Sequence, residues 1–179
     1  MEEYLVKKAK NIKLLLLDVD GVLTDGRIIY DSKGRDSKFF DVHDGLGVYM
    51  LKQAEIPTVL ITAKSSRTLK PRARDMRVAE VIAMNGSPRR SKGSVFDKIL
   101  KRYKVTSQEV CFVGDDLVDL CLMGRVGFAV AVFNACAEIK NLAHYITQRE
   151  GGRGAVREVA ELILKSQGKW QKIVGAYQS

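Results

Sequence analysis

Five short apolar runs constrain this chain more than any other feature. They are Ile12–Val19, Thr58–Thr62, Val78–Ala83, Glu109–Gly114 and Gly127–Val132. Each is too short for a buried helix, and most are near-continuous in apolar residues, as expected for strands covered on both faces. Stretches of helical period separate them: Gly45–Ala54, Ser65–Asp75, Ser94–Lys104, Val118–Arg125 and Ala135–Ala143. Ala155–Ser166 is the clearest amphipathic helix, with Val156, Val159, Ala160 and Ile163 on one face. Strands alternating with helices predict an α/β fold, a parallel sheet sandwiched by helices. One segment breaks the rhythm. Residues 26–42 hold two β-prone runs around Asp31-Ser32-Lys33-Gly34, which predicts an inserted hairpin.

The 179 residues suit one domain, with a C-terminal tail over about 167–179. No apolar run approaches the ~20 residues that span a bilayer, so no membrane association is expected. The charged N-terminus lacks a secretory pattern, and the expected location is cytoplasmic. Cys111, Cys121 and Cys136 are odd in number and unrelated in spacing, which argues against disulfides and a zinc knuckle. The net charge of +9 draws on basic clusters at 64–77 and 89–92. Neither cluster is interleaved with aromatics, and no nucleic-acid-binding signature accompanies them. The excess of positive charge therefore fits a small anionic substrate better than nucleic acid.

Ligands of open parallel sheets sit at the carboxyl ends of the strands. Four features fall there: Asp18-Val19-Asp20, Thr62, Asp115-Asp116-Leu117-Val118-Asp119, and the basic loop ending at Lys92. Asp18, Asp20, Asp115 and Asp119 would converge, and carboxylates ~4 Å apart repel by several kcal/mol. A hard divalent cation removes that conflict, and oxygen ligands with few carboxylates suit Mg²⁺. If a helix starts after Gly114, Asp115 and Asp119 share one of its faces. A hydroxyl at Thr62 and an ammonium at Lys92 beside such a cation make a phosphate site. One carboxylate can then attack phosphorus, and a second acid can protonate the leaving oxygen and later activate water.

DVDGVLTDG, ITAK, a lysine after a loop, and GDDLVD, in this order, resemble the haloacid dehalogenase superfamily of phosphatases. FDVHDGLG, VGFAVAV, GGRGAVREV and SQGKW extend the likeness to one subfamily, the 3-deoxy-D-manno-octulosonate 8-phosphate phosphatases, over roughly residues 11–170. The resemblance implies a Rossmann-like, capless fold and a Mg²⁺-dependent hydrolase of a sugar acid phosphate in lipopolysaccharide precursor synthesis. It implies Asp18 as nucleophile and metal ligand, and Asp20 as general acid/base with its backbone carbonyl on the metal. Asp115 becomes a further ligand, Asp119 a residue that holds the metal or its water, and Thr62 and Lys92 the phosphate holders. Asp41, Val42, His43, Asp44 and Gly45 match a substrate-touching loop, and Lys64 and Arg72 match basic positions that reach substrate. The hairpins are expected to centre a homotetramer with active sites between subunits, and the tail to close over a neighbour's site.

The chain departs from the subfamily at Lys64, His43 and Tyr49, where arginines are usual, and its NGSPRRSK loop is longer, with Arg89 and Arg90 as possible replacements. Lysine keeps the charge of arginine but loses its bidentate fork. These changes touch sugar-acid specificity rather than phosphatase chemistry. A nine-carbon sugar acid 9-phosphate therefore stays open as substrate, as does a non-catalytic oligomeric relative. Arg153 either binds a neighbour's substrate or orders the glycine-rich turn.

Overall fold

The structure is a computed structural model that describes residues 3–64, 66–84 and 92–178. Its centre is a six-stranded, all-parallel sheet. In chain order the strands are β1 (Leu14–Leu17), β4 (Thr58–Thr62), β5 (Glu80–Ala83), β6 (Val110–Gly114), β7 (Phe128–Ala131) and β8 (Tyr145–Ile146). A two-stranded antiparallel hairpin, β2 (Ile29–Tyr30) and β3 (Asp36–Ser37), lies between β1 and β4 in the chain. Spatially the order is β5-β4-β1-β6-β7-β8, which puts β1 in the middle. Leu16 pairs with Val59 on one side and Phe112 on the other.

All four leucines of β1 are inaccessible to solvent. Truncating one of them to alanine would cost about 2–5 kcal/mol, because a central strand cannot collapse onto the void. The edge strand β5 is only half covered, which is why Glu80 can sit in it and pair with Arg102. Helices flank the sheet: α1 (Glu3–Lys10), α2 (Val42–Gln53), α3 (Leu69–Asp75), α4 (Lys92–Tyr103), α5 (Leu120–Met123), α6 (Ala137–Leu142), α7 (Ala155–Ser166) and α8 (Trp170–Gly175). Both α1 and α2 pack on α7, whose Val156, Val159, Ala160 and Ile163 are buried as the helical period predicts.

Several boundaries differ from those expected from sequence. The helix expected from Gly45 starts at Val42, because the Asp41 side chain caps it by accepting a 2.6 Å hydrogen bond from His43 N–H. The segment Asp41–Gly45 is thus a cap and first helical turn, not a loop. The helix expected over 65–75 begins at Leu69, with Pro71 in its first turn where a missing N–H costs nothing. The hairpin is shorter than 26–42. Its turn is fixed by Asp31, which accepts from Lys33 N–H and Arg35 N–H at 2.9 Å each, while Gly34 takes φ +70°. The expected tail carries a short helix, α8, with Ile173 buried. Sequence periodicity also passed over α1 and the two-residue strand β8.

Candidate active site

The carboxyl ends of β1, β4 and β6 carry Asp18, Thr62 and Asp115, and Lys92 opens α4 beside them. Asp18 follows directly on Leu17 and continues the ladder, its N–H donating to Val113 O at 3.1 Å. The chain then turns sharply. Gly21 adopts φ +93°, and a Cβ there would lie 2.5 Å from the Asp115 carboxyl carbon. Only glycine therefore lets this loop close over the acid. Thr24 Oγ1 ties the loop together by accepting from Gly21 N–H and Gly26 N–H, each at 3.2 Å.

Asp18, Asp115 and Asp119 converge so that one oxygen of each lies within 4.8 Å of the others. The convergence is not the helical i,i+4 pair expected from spacing. Asp116 instead caps a 3-10 turn, Leu117–Asp119, by accepting from Leu117 N–H at 2.8 Å. That turn folds Asp119 back until its Oδ2 accepts from Asp115 N–H at 2.9 Å. The Asp119 carboxylate also takes the room a side chain at Gly114 would need. Asp116 is thereby an orienting residue outside the cluster.

Lys92 is 3% exposed, and its Nζ lies 2.7 Å from Asp18 Oδ1 and 2.5 Å from Asp119 Oδ1. One ammonium against two buried acids and the half-buried Asp115 leaves excess negative charge. Burial, partly offset by Lys92 and reinforced by Asp119, raises Asp18 to about 6. Burial together with Asp18 and Asp119 raises Asp115 to about 8. Burial pulls Lys92 down, but Asp18 and Asp119 outweigh it and hold the ammonium charged. Asp115 Oδ1 is buried and meets no hydrogen-bond donor among the described residues. A carboxylate with an orphaned oxygen, clustered with two more acids that offer oxygen ligands, fits a hard divalent cation.

Asp20 stands apart from this cluster. Its carboxylate is paired with Lys38 Nζ, whose side chain is buried at the exit of β3. Nothing in the spacing of Lys38 marked it in the sequence. Thr62 is buried, and its hydroxyl donates to Lys64 O at 3.0 Å and accepts from Lys64 N–H at 3.2 Å, so it shapes the loop after β4. Lys64 reaches back to the hairpin: Nζ bonds the Tyr30 hydroxyl and lies 4.9 Å from the centre of its ring. Tyr30 is a second residue that sequence reasoning missed.

The segment 41–45 divides into exposed and buried positions. Val42 and His43 are open to solvent, and the His43 ring Nδ1 lies 3.1 Å from Asp41 Oδ1. Arg72 Nη2 donates to Asp41 O at 2.6 Å, and its guanidinium lies 5.6 Å from the Phe40 ring centre. A Cβ at Gly45 would sit 2.5 Å from that Nη2, so a side chain there would make the Arg72 guanidinium shift. Asp44 corrects the expectation of substrate contact. It is wholly buried, and its carboxylate accepts from Arg157 N–H at 2.9 Å and Gly154 N–H at 3.3 Å, binding α2 to the start of α7.

The glycine-rich turn before α7 leans on the loop after β1. Gly152 N–H donates to Val22 O at 2.9 Å with φ +65°, and a Cβ on Gly152 would strike the Thr24 backbone. Arg153 is exposed and lines a cleft of about 330 Å³ with Asp25, Arg27, Phe39, Phe40 and Asp41. Arg89 and Arg90 lie outside the described residues. Among the described residues, no helix is long and apolar enough to cross a membrane.

Comparison with known proteins bears on this geometry. A family model described as haloacid dehalogenase-like hydrolase matches residues 87–159. The 3-deoxy-D-manno-octulosonate 8-phosphate phosphatase of Yersinia pestis is 36% identical over 170 residues, covering 95% of this chain and 89% of that protein. A crystal structure of the same-named phosphatase from Moraxella catarrhalis, in complex with magnesium, phosphate and KDO, superimposes with a TM-score of 0.92 at 38% identity, covering 99% of each chain. A cobalt-bound form of the Haemophilus influenzae phosphatase gives a TM-score of 0.84 at 36% identity over 90% of this chain and 92% of that one.

Proposed function

We propose a function from one premise: this chain belongs to the haloacid dehalogenase-like hydrolases and is a phosphoric monoester hydrolase. The reading is a Mg²⁺-dependent phosphatase that hydrolyses 3-deoxy-D-manno-octulosonate 8-phosphate to the free sugar acid and phosphate, in lipopolysaccharide precursor synthesis. The observation that carries it is the Asp18–Asp115–Asp119 cluster at the strand ends, with its orphaned buried oxygen and the buried ammonium of Lys92. Relatives of that name support the substrate.

Asp18 and Asp115 would hold the Mg²⁺ with the Asp20 backbone carbonyl, and Asp119 would steady Asp115 and the metal's surroundings. When bound, the cation neutralises charge on the phosphoryl oxygens. Asp18 attacks phosphorus, forming an aspartyl-phosphate as the bond to the sugar oxygen breaks. Asp20 gives its proton to that departing oxygen. It then takes a proton from the water that attacks the aspartyl-phosphate, releasing inorganic phosphate and restoring Asp18. Lys92 and Thr62 hold the phosphate, with Lys92 exchanging part of its present pairing for phosphate oxygens. Lys64 and the exposed Val42 and His43 face the sugar acid, while Asp41, Gly45 and Arg72 form the frame beneath them.

The same reading includes one capless catalytic domain, a cytoplasmic enzyme, and a homotetramer with active sites between subunits. Exposed Ile28, Ile29, Tyr30 and Phe39 on and beside the hairpin support the assembly. The test is phosphate release from 3-deoxy-D-manno-octulosonate 8-phosphate with Mg²⁺ and with EDTA, beside a nine-carbon sugar acid 9-phosphate and other sugar phosphates. Selective, metal-dependent release from the eight-carbon ester is the expected result. A preference of about 100-fold for the nine-carbon ester, near 2.7 kcal/mol, would move the substrate assignment to it. Metal-independent or absent release would overturn the mechanism.

A further inference from the structure

Asp20 and Lys38 make an ion pair of unusual disposition. The Lys38 side chain is 3% exposed, yet the carboxylate it meets is 28% exposed. A long, flexible lysine normally leaves its ammonium in water. Here the lysine is buried and reaches outward to a carboxylate at the mouth of the site. Burying an ammonium costs several kcal/mol unless a partner in good geometry offsets it. Asp20 is the one ion-pair partner of Lys38 among the described residues.

The placement also explains what the acid cluster leaves out. Asp18 and Asp20 are two residues apart on one loop, but only Asp18 joins Asp115 and Asp119. Asp20 is drawn to the other side, toward the chain leaving the hairpin. Lys38 directly follows β3 and stands three residues before the Asp41 cap of α2, so structured segments hold it at both ends. It presents a fixed point for the Asp20 carboxylate, and Lys64 adds positive charge nearby.

We propose that Lys38 is a positioning residue: its buried ammonium holds Asp20 Oδ1, which keeps the carboxyl group at the mouth of the site and clear of the acid cluster and leaves the other oxygen to carry the proton exchanged with the departing oxygen. This inference rests on the reading of Asp20 as general acid/base. Lys38 itself transfers no proton and touches no reacting atom. Its loss lets Asp20 rotate, so the group arrives late or misaligned at the oxygen it must protonate.

The leaving group makes this testable. A sugar alkoxide needs a proton as the P–O bond breaks, whereas p-nitrophenolate departs without one. The experiment compares kcat/KM for the sugar acid phosphate and for p-nitrophenyl phosphate in wild type, Lys38→Met, Lys38→Arg, Asp20→Asn and the Lys38→Met/Asp20→Asn double variant, with melting curves for each. Lys38→Met is expected to lose about tenfold or more on the sugar ester and no more than about threefold on the aryl ester, within the range of general acid catalysis. Lys38→Arg is expected to recover most of that ratio, and Lys38→Met to add no further loss once Asp20 is Asn. If Lys38→Met fails to fold, Lys38→Gln takes its place. Equal losses on both esters in a folded Lys38 variant, or a full further loss in the double variant, would overturn the inference. If Asp20→Asn itself is indifferent to the leaving group, the acid/base reading falls and this inference with it. If Asp20→Asn is selective and the Lys38 variants are not, only the role of Lys38 falls.

Discussion

Asp44 and Asp115 are both aspartates raised by burial, the wholly buried Asp44 to about 6 and the half-buried Asp115 to about 8, and they do opposite work. Asp44 sits at the junction of α2 and α7, where backbone N–H groups at the start of α7 satisfy its oxygens. Asp115 sits at the end of β6, where its Oδ1 has no donor among the described residues and its neighbours include two more acids. A helix N-terminus can hold a carboxylate with orphan N–H groups alone. A cluster of acids cannot hold itself. The first site is complete within the chain and is architecture, whereas the second is completed by a cation and is chemistry.

The largest test of this contrast is Asp18→Asn. Turnover should fall at least about 10⁴-fold, as when a nucleophile is removed, while the protein folds normally. Retained turnover would mean that another group attacks phosphorus. Next is Asp115→Asn, which should weaken the response to Mg²⁺ by about 100-fold or more, since even outer partners of metal ligands are worth 10–100-fold. Isothermal titration with Mg²⁺ measures this directly, and unchanged affinity would remove Asp115 from the metal site.

Asp44→Asn should do the reverse. It turns one acceptor oxygen into an NH₂ group facing N–H donors and should cost about 1–3 kcal/mol of stability. Metal affinity should stay within about twofold of wild type, because sites with no shared partners behave independently. A melt read beside the same titration separates the two, and a stable variant with weakened Mg²⁺ binding would merge the regions that the geometry separates.

A pH series sharpens the comparison further. Asp18, Asp115 and Asp44 all have folded values above the ordinary carboxylate value of 3.8. These three groups therefore bind more protons in the folded chain than in the unfolded one, and their contribution to metal-free stability should fall as pH rises from about 4 to about 8. Saturating Mg²⁺ should flatten the upper part of that slope, where Asp115 ionises, and leave the part due to Asp44. Chemical denaturation at pH 5, 6.5 and 8 with Mg²⁺ or EDTA measures both, and an identical slope in the two conditions would refute a cation at Asp115. The smallest effect expected is for Lys64→Arg. Its ammonium is open to solvent and keeps its charge on substitution, so kcat/KM on the sugar ester should change by no more than about threefold.

Much of this was legible in the residues themselves. Continuous burial of Leu14–Leu17 and Thr58–Thr62 leaves no hydrophobic alternation to misread, so the parallel sheet and the carboxyl-end site follow from pattern. Asp18, Asp115 and Thr62 follow because each ends or directly follows a strand, whereas Lys92, expected at the end of a loop, opens α4 instead. Other residues were misplaced for a common reason. Asp44 and Asp41 stand in one short motif, yet one is a core anchor and the other a helix cap. Motif membership records neighbours along the chain, not which way a side chain turns.

The sequence by itself determined the layered fold, the carboxyl-end position of the acids and the need for a counter-charge, because these depend on apolar period and on charge count. Only the tertiary structure decided that Asp119 reaches Asp115 through a 3-10 turn, that Lys92 bridges two of the acids, that Asp44 belongs to α7, and that Lys38 holds Asp20. Each of those contacts joins side chains through backbone turns or across distant segments. Hydrogen-bond geometry over a few ångströms selects them, and no local pattern in a one-dimensional chain encodes it.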